Sequence, residues 1–186
     1  MALIDYPDLD LIDAKNREAI ERFAREHGRP TLLRLMLAYS PPAQEAMNDL
    51  YHPVVQNGRL SRRLKESLLV ASSEARECRY CAGGHSLFLV NEFGYDQDAV
   101  RQMRSGGESD GWTAAETALV RVIRTAASDP QSVTQEDIDG LRAVGWSDDE
   151  IVEGLIMASH SAWTTTVAQA LRLEDDLGTH EFSGYF

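Results

Sequence analysis

Residues 64–85 read LKESLLVASSEARECRYCAGGH. They hold the chain's two cysteines, Cys78 and Cys81, three positions apart, with His85 four positions further on. Helix positions separated by three or four lie on one face, about 5–6 Å apart. A helix starting near Cys78 therefore sets both sulfurs at its N-terminus and His85 one turn later on the same side. Unpaired amides and the helix dipole favour thiolate there, and the spacing is within reach of a disulfide. Gly83 and Gly84 weaken the helix, but they let a substrate or a second backbone approach the sulfurs.

Thiolate chemistry also needs a proton acceptor, and Glu66, Glu74, Glu77 and His85 are near in sequence. Glu66 stands among Leu64, Leu68, Leu69 and Val70. A carboxyl group in such company is expected to be buried, with a raised pKa suited to accepting and returning protons. Glu74 lies one turn before Cys78 if the helix is continuous, and Glu77 adjoins the cysteine but points away. Spacing alone does not choose between Glu66 and Glu74.

Working outward, apolar residues recur with helical period almost everywhere and with strand alternation almost nowhere. The pattern predicts helices at 13–27, 30–39, 42–57, 61–76, 79–93, 96–105, 113–127, 134–144 and 147–173, an all-α chain. The last span is expected to break near 161–166, where Ser and β-branched Thr lower helix propensity. Thr113 with Glu116 and Ser147 with Glu150 read as capping boxes, with Trp146 stapling onto Ile151. Gly94 and Gly145 stand where helices end in a left-handed residue. The stretches around them, EFGYDQDAVRQM and AVGWSDDEIVEGL, echo each other at an offset of 51 residues, through internal duplication or convergent capping. The segment 178–186, GTHEFSGYF, carries three aromatics and is expected to pack on its own body or on a neighbouring subunit.

A chain of 186 residues favours one domain with a real core. Thirty acidic against 18 basic residues give a formal charge of −12, which repels phosphate backbones and argues against nucleic acid. The first residues, MALIDYPDLDLIDAK, lack the basic and apolar regions of a signal peptide. No apolar run approaches the roughly 20 residues that cross a bilayer. The expectation is a cytoplasmic protein without membrane contact, in a compartment where a close cysteine pair is more often catalytic or metal-binding than structural.

Four readings of the pair can be weighed. Covalent haem needs histidine directly after the second cysteine, where Ala82 stands. Structural zinc takes four ligands in spaced pairs, whereas His27, His52, His160 and His180 are scattered singly. Free cysteines are often core residues, yet random core use seldom leaves the sole two at i and i+3. A redox dithiol fits the geometry best.

At this point the pattern resembles a known family. Glu66 twelve residues before Cys78, the Cys78-x-x-Cys81 pair, and His85 four beyond are similar to the alkylhydroperoxidase D core of the carboxymuconolactone decarboxylase-like superfamily. Chain length and the Gly-aromatic-Asp/Ser helix starts resemble its peroxidase-related subgroup. The resemblance implies one AhpD-like helical domain over 1–186 with an internal pseudo-repeat, core motif 66–85, assembled as a homotrimer or homohexamer. It implies hydroperoxide reduction with Cys81 attacking, Cys78 resolving, and Glu66 and His85 as proton relay, which selects Glu66 over Glu74 by analogy. An external dithiol or lipoyl-type reductant would restore the pair, with no metal or organic cofactor. Studied members place a histidine just before the second cysteine; here it is Tyr80, whose hydroxyl can donate to a substrate oxygen but is no base near neutrality.

The second reading, from another class, is a redox-sensing or interaction protein in which the dithiol switches shape or partner without fast turnover. A third keeps the scaffold but binds a small acid, with the cysteines secondary. His160, in MASHSAWTTT, could line the same pocket, although a lone histidine beside Trp163 ordinarily serves packing. Met36, Met47, Met103 and Met157 read as core or interface filler. Arg62, Arg63 and Lys65 read as a solvated basic face, able to attract an anionic substrate or partner. SVTQEDID and SDDE read as helix-start acids.

Overall fold

In the computed structural model the described residues are 2–27, 31–106, 109 and 111–173. The aromatic segment 178–186, with His180, lies outside them, as does the side chain of His27. Among the described residues the regular structure is helical throughout, as the all-α reading expects. The α-helices are α1 (Ala14–His27), α2 (Leu32–Leu37), α3 (Pro41–Leu50), α4 (Arg62–Ala75), α5 (Arg79–Phe93), α6 (Gln97–Arg104), α7 (Ala114–Ser128), α8 (Gln135–Ala143) and α9 (Asp148–Ala170).

The centre is α4, packed against α5, α7 and α9. Every residue from Leu64 to Ser73 is buried. Leu64, Leu68, Leu69, Val70 and Ala71 join Leu89 of α5, Leu119 and Ile123 of α7 and Met157 of α9 in the main core. A helix buried all round must satisfy each polar group it carries. Lys65, 0% exposed, donates to the Val54 carbonyl at 2.6 Å and pairs with Glu153 of α9 at 3.3 Å. Glu153 also accepts from the amides of Arg59 and Leu60, at 2.8 and 3.1 Å. That carboxylate fixes the entry into α4 and so the register of everything that follows.

The basic face expected at Arg62, Arg63 and Lys65 is corrected by this packing. Arg62 turns inward to Glu66, Arg63 pairs with Glu116 and donates to Tyr95, and Lys65 is sealed. Sequence proximity placed three cations together, but helical rotation sends each to a different acid.

Helix ends follow the expected chemistry. Thr113–Glu116 and Ser147–Glu150 form complete capping boxes, and Thr134–Asp137 forms a third. Trp146 reaches the Ala115 carbonyl at 2.8 Å. Gly94 and Gly145 adopt φ of 68° and 104°, so both echoing stretches turn the chain in the same way. A Cβ at Gly94 would meet no atom within 4 Å. Gly94→Ala is therefore expected to destabilise by the left-handed backbone cost alone, about 1 kcal/mol, read as a shifted urea midpoint with unchanged slope.

Two expected helices are altered. The span 42–57 is α-helical only to Leu50 and continues as a π-helical segment, Tyr51–Gln56. Pro53 within it has no amide hydrogen to give. Conversely, α9 runs unbroken through 161–166. There Thr164 and Thr166 bond back to the carbonyls of His160 and Ala162, at 3.1 and 2.7 Å, and Arg76 Nε donates to Thr165 at 2.8 Å. Tertiary partners for the hydroxyls outweigh their modest propensity cost.

Candidate active site

The chain leaves α4 through Glu77, a non-glycine residue at φ 56°. The Cys78 amide closes back on the Ser73 carbonyl at 2.9 Å, and the Glu77 amide on that of Glu74 at 2.9 Å. This Schellman closure delivers Cys78 as the N-cap of α5, with its carbonyl accepting from Ala82 at 2.9 Å. Both cysteines are reduced and buried, Cys78 2% and Cys81 5% exposed. They sit in a small apolar cluster with Met36 of α2, Ala168 of α9 and Leu173. A hydrogen bond with Cys81 holds Cys78 below the usual thiol range, against the effect of burial.

The two sulfurs differ in access. Cys81, Gly84 and His85, all on one face of α5, line a cavity of about 80 Å³. Its other walls include Leu33 of α2, Met47 of α3, Tyr51, Phe88, and His160 with Thr164 of α9. Cys78 is not among the residues that line it. The space is mostly apolar and aromatic, with few polar groups converging on it, the usual character of a small-molecule site.

Behind His85 stands a chain of charge. Glu66 is wholly buried, and its carboxylate accepts from His85 Nδ1 at 2.7 Å and pairs with Arg62 Nη2 at 2.5 Å. Arg62 also donates to Tyr51 Oη at 2.9 Å and lies over the Tyr51 and Phe88 rings. Burial alone raises the Glu66 pKa, but His85 and Arg62 together outweigh it and leave the group below its ordinary value. The raised pKa expected from the apolar neighbours in sequence is thus corrected: the decisive partners come from one turn earlier and from the next helix. An ionised carboxylate only accepts hydrogen bonds. It therefore fixes the proton of neutral His85 on Nδ1 and leaves the Nε2 lone pair as the ring's basic site.

Glu74 is elsewhere, paired with Arg104, so geometry separates the two glutamates that spacing left equal. Tyr80 lines the cavity, and its hydroxyl accepts from the Leu33 amide at 3.2 Å. His160 is 6% exposed, beside Trp163 in an edge-on contact at 6.4 Å. Its Nδ1 is buried with no hydrogen-bond partner, so it is not the satisfied packing residue its sequence context suggests. Burial, then the nearby His85, lowers its pKa to about 4. Sequence reasoning passed over Tyr51 and Arg34, both on the cavity wall; Arg34 lies over the Phe23 ring at 4.1 Å and donates to Asn48 at 2.7 Å. Among the described residues no group of three or more His, Cys, Asp or Glu stands where it could hold a metal ion, and no helix is long and apolar enough to cross a membrane.

Residues 41–125, from α3 into α7, match the Carboxymuconolactone decarboxylase family. A comparison with curated proteins finds no match. Among solved structures, the alkylhydroperoxidase AhpD core of a peroxidase-related protein from Ralstonia eutropha JMP134 is 19% identical, covering 96% of this chain and 94% of that one, with a TM-score of 0.86. A peroxidase-related protein from Silicibacter sp. TM1040 is 17% identical over 96% and 94%, with a TM-score of 0.83. A cysteine-to-alanine variant of the debrominase Bmp8, in complex with 2,3,4-tribromopyrrole, is 15% identical over 100% of both chains, with a TM-score of 0.84. At such identities these likenesses establish the fold. The match over 41–125, short of half of the chain, marks this stretch as similar to the Carboxymuconolactone decarboxylase family.

Proposed function

We propose that this protein is a dithiol enzyme that reduces small organic hydroperoxides, with Cys81 attacking and Cys78 resolving. The observation that carries the reading is the placement of Cys81 on the cavity wall beside His85, with Glu66 bonded behind it. His85 Nε2 takes the Cys81 proton. The thiolate then attacks the terminal peroxide oxygen, the O–O bond breaks, and the alkoxide leaves as alcohol with the proton from His85. Cys81 is now a sulfenic acid. The Cys78 sulfur attacks it, a disulfide forms, and hydroxide leaves with a proton as water. An external dithiol, of lipoyl type or similar, supplies two electrons to reset the pair.

The aromatic cavity wall also favours a second substrate class. The debrominase Bmp8, with the same fold, binds a brominated pyrrole. A dithiol can reduce an aryl bromide to the arene with loss of bromide and a proton, forming the same disulfide. A sensor that oxidises once needs no cavity at its reactive sulfur, so the wall position of Cys81 favours turnover.

The test is intact mass of the reduced protein after one equivalent of cumene hydroperoxide, with Cys78→Ser alongside. The wild type is expected to lose two hydrogens within minutes and the variant to gain one oxygen. If both masses stay unchanged while 2,3,4-tribromopyrrole oxidises the pair, the second substrate class holds; if neither reagent acts, the enzyme reading fails.

A further inference from the structure

Glu66 is sealed within the core, yet the relay requires it to stay charged. The cation that meets it stands one turn earlier on α4: Arg62 Nη2 lies 2.5 Å from its Oε1, with the two side chains 17% and 0% exposed. Arg62 does not line the cavity. Two other elements hold it, through the bond to Tyr51 Oη at 2.9 Å and the Tyr51 and Phe88 rings at 5.2 and 5.9 Å from its guanidinium carbon. A guanidinium clamped on three sides has little freedom to swing to solvent when the charges around it change.

The other charged groups nearby are committed elsewhere. Lys65 of α4 pairs with Glu153 of α9, Arg63 with Glu116 of α7, and Arg104 of α6 with Glu74. Arg34 of α2 lies over the Phe23 and Tyr51 rings and bonds to Asn48. His160 of α9 and Tyr51 are uncharged near neutrality, since burial lowers the pKa of the first to about 4 and raises that of the second. Among the described residues, the groups paired with the Glu66 carboxylate are thus Arg62 and His85.

Resting on the relay from Cys81 to His85, we propose that Arg62 is a positioning residue of that relay, whose fixed charge keeps the buried site neutral while the Cys81 proton moves. At rest the site holds one cation, Arg62, and one anion, Glu66. The transfer carries one proton from Cys81 Sγ to His85 Nε2, which adds one imidazolium and one thiolate, so the charges still cancel. Without Arg62, the thiolate stage would set two buried anions against one cation. Uncompensated buried charge is costly, so such a site would hold its protons to higher pH and the thiolate would form later in a titration.

The experiment follows alkylation of Cys81 by iodoacetamide as a function of pH in the Cys78→Ser background, with Arg62→Gln and Arg62→Lys alongside. Glutamine keeps hydrogen-bonding atoms without the charge, and lysine keeps the charge without the fork. Arg62→Gln is expected to move the midpoint of the profile up by about one pH unit or more. Alkylation at pH 7 then falls about tenfold and regains the parent rate in alkali. Arg62→Lys is expected to stay near the parent midpoint. A Gln variant with the parent midpoint overturns the proposal. So does one slowed equally at every pH, the mark of a merely structural support, or a Lys variant displaced as far as Gln. Nitrogen NMR of the imidazole in Cys81→Ser needs no change at Arg62 and so decides even if Arg62→Gln does not fold. A neutral His85 ring with its proton on Nδ1 is expected at pH 7, and an imidazolium there overturns the proposal. Alkylation uses no peroxide: a parent protein with the expected profile that is inert to cumene hydroperoxide removes the hydroperoxide reading and leaves the role of Arg62 standing.

Discussion

Cys81→Ser is expected to remove at least 10³ of peroxide-dependent turnover, because a serine hydroxyl is far less acidic and nucleophilic than a thiol in the same place. The companion Cys78→Ser should behave differently. It keeps the sulfur on the cavity wall, so one oxidation still proceeds at close to the wild-type rate, but no internal thiol is present to resolve it. Turnover then falls to whatever an external thiol can sustain, and excess hydroperoxide drives Cys81 on to sulfinic acid. One feature of the pair pulls the other way: it is Cys78 that is held below the usual thiol range, chiefly by its hydrogen bond with Cys81. When two thiols share a proton, the acidity belongs to the pair. Access then decides which sulfur attacks, and only Cys81 borders the cavity. A low pKa at Cys78 suits its own step, since resolution also needs a thiolate. Stopped-flow oxidation of the two single variants separates the roles; a Cys81→Ser protein that still reduces the first equivalent of peroxide would exchange them.

The second large effect is expected at Glu66→Gln, on both stability and rate. The substitution preserves shape, and its carbonyl can still accept from His85 Nδ1. Its amide hydrogens, however, face Arg62, whose guanidinium loses its counter-ion in a largely buried position. Breaking a buried pair by removing one partner costs about 3–5 kcal/mol. The bond from Arg62 to Tyr51 remains, which sets the expectation at the lower end, about 3 kcal/mol, measured as a shift in urea midpoint at pH 7. The pH dependence has a definite sign. Glu66 has a depressed folded-state pKa, so its stabilisation is complete above the unfolded value of about 4.3 and drains away as the pH falls through the lower folded value. The gap between wild type and Glu66→Gln should therefore close in acid, below about pH 4. Loss of the carboxylate also removes the partner that fixes the His85 ring and its tautomer, for an expected loss of about 10²–10⁴ in oxidation rate. Glu74→Gln is the control. Its partner Arg104 lies outside the cavity wall, so the oxidation rate should stay unchanged even though the largely buried Arg104 loses its counter-ion and stability falls as well. Equal kinetic effects from the two substitutions would refute the assignment of the relay to Glu66.

The helices and their ends are legible in the sequence because they depend on near neighbours. A capping box spans three residues, a left-handed glycine needs only its own backbone, and an amphipathic stripe is a one-dimensional pattern. Residues 79–93 are read as α5 with the observed boundaries, and the shared face of Cys81 and His85 follows from helical spacing alone. The resemblance carried by Glu66, the cysteine pair and His85 leads to the fold that the similar solved structures share for the same reason: the motif lies within 20 consecutive residues.

What the tertiary structure decides is everything that requires a partner distant in the chain. The sign of the Glu66 shift depends on Arg62 and His85 pointing at it, and composition around Glu66 alone suggests the opposite. The basic run 62–65 disperses because its side chains leave α4 in different directions to Glu66, Glu116 and Glu153. The continuity of α9 through its threonines depends on Arg76, some 90 positions earlier. His160 looks like packing in sequence and becomes an unsatisfied imidazole only where α9 crosses the cavity. Burial and charge pairing act through space at full strength over a few ångströms, whatever the separation along the chain, so sequence determines the scaffold here and only the folded structure determines how the polar groups around Cys81 face one another.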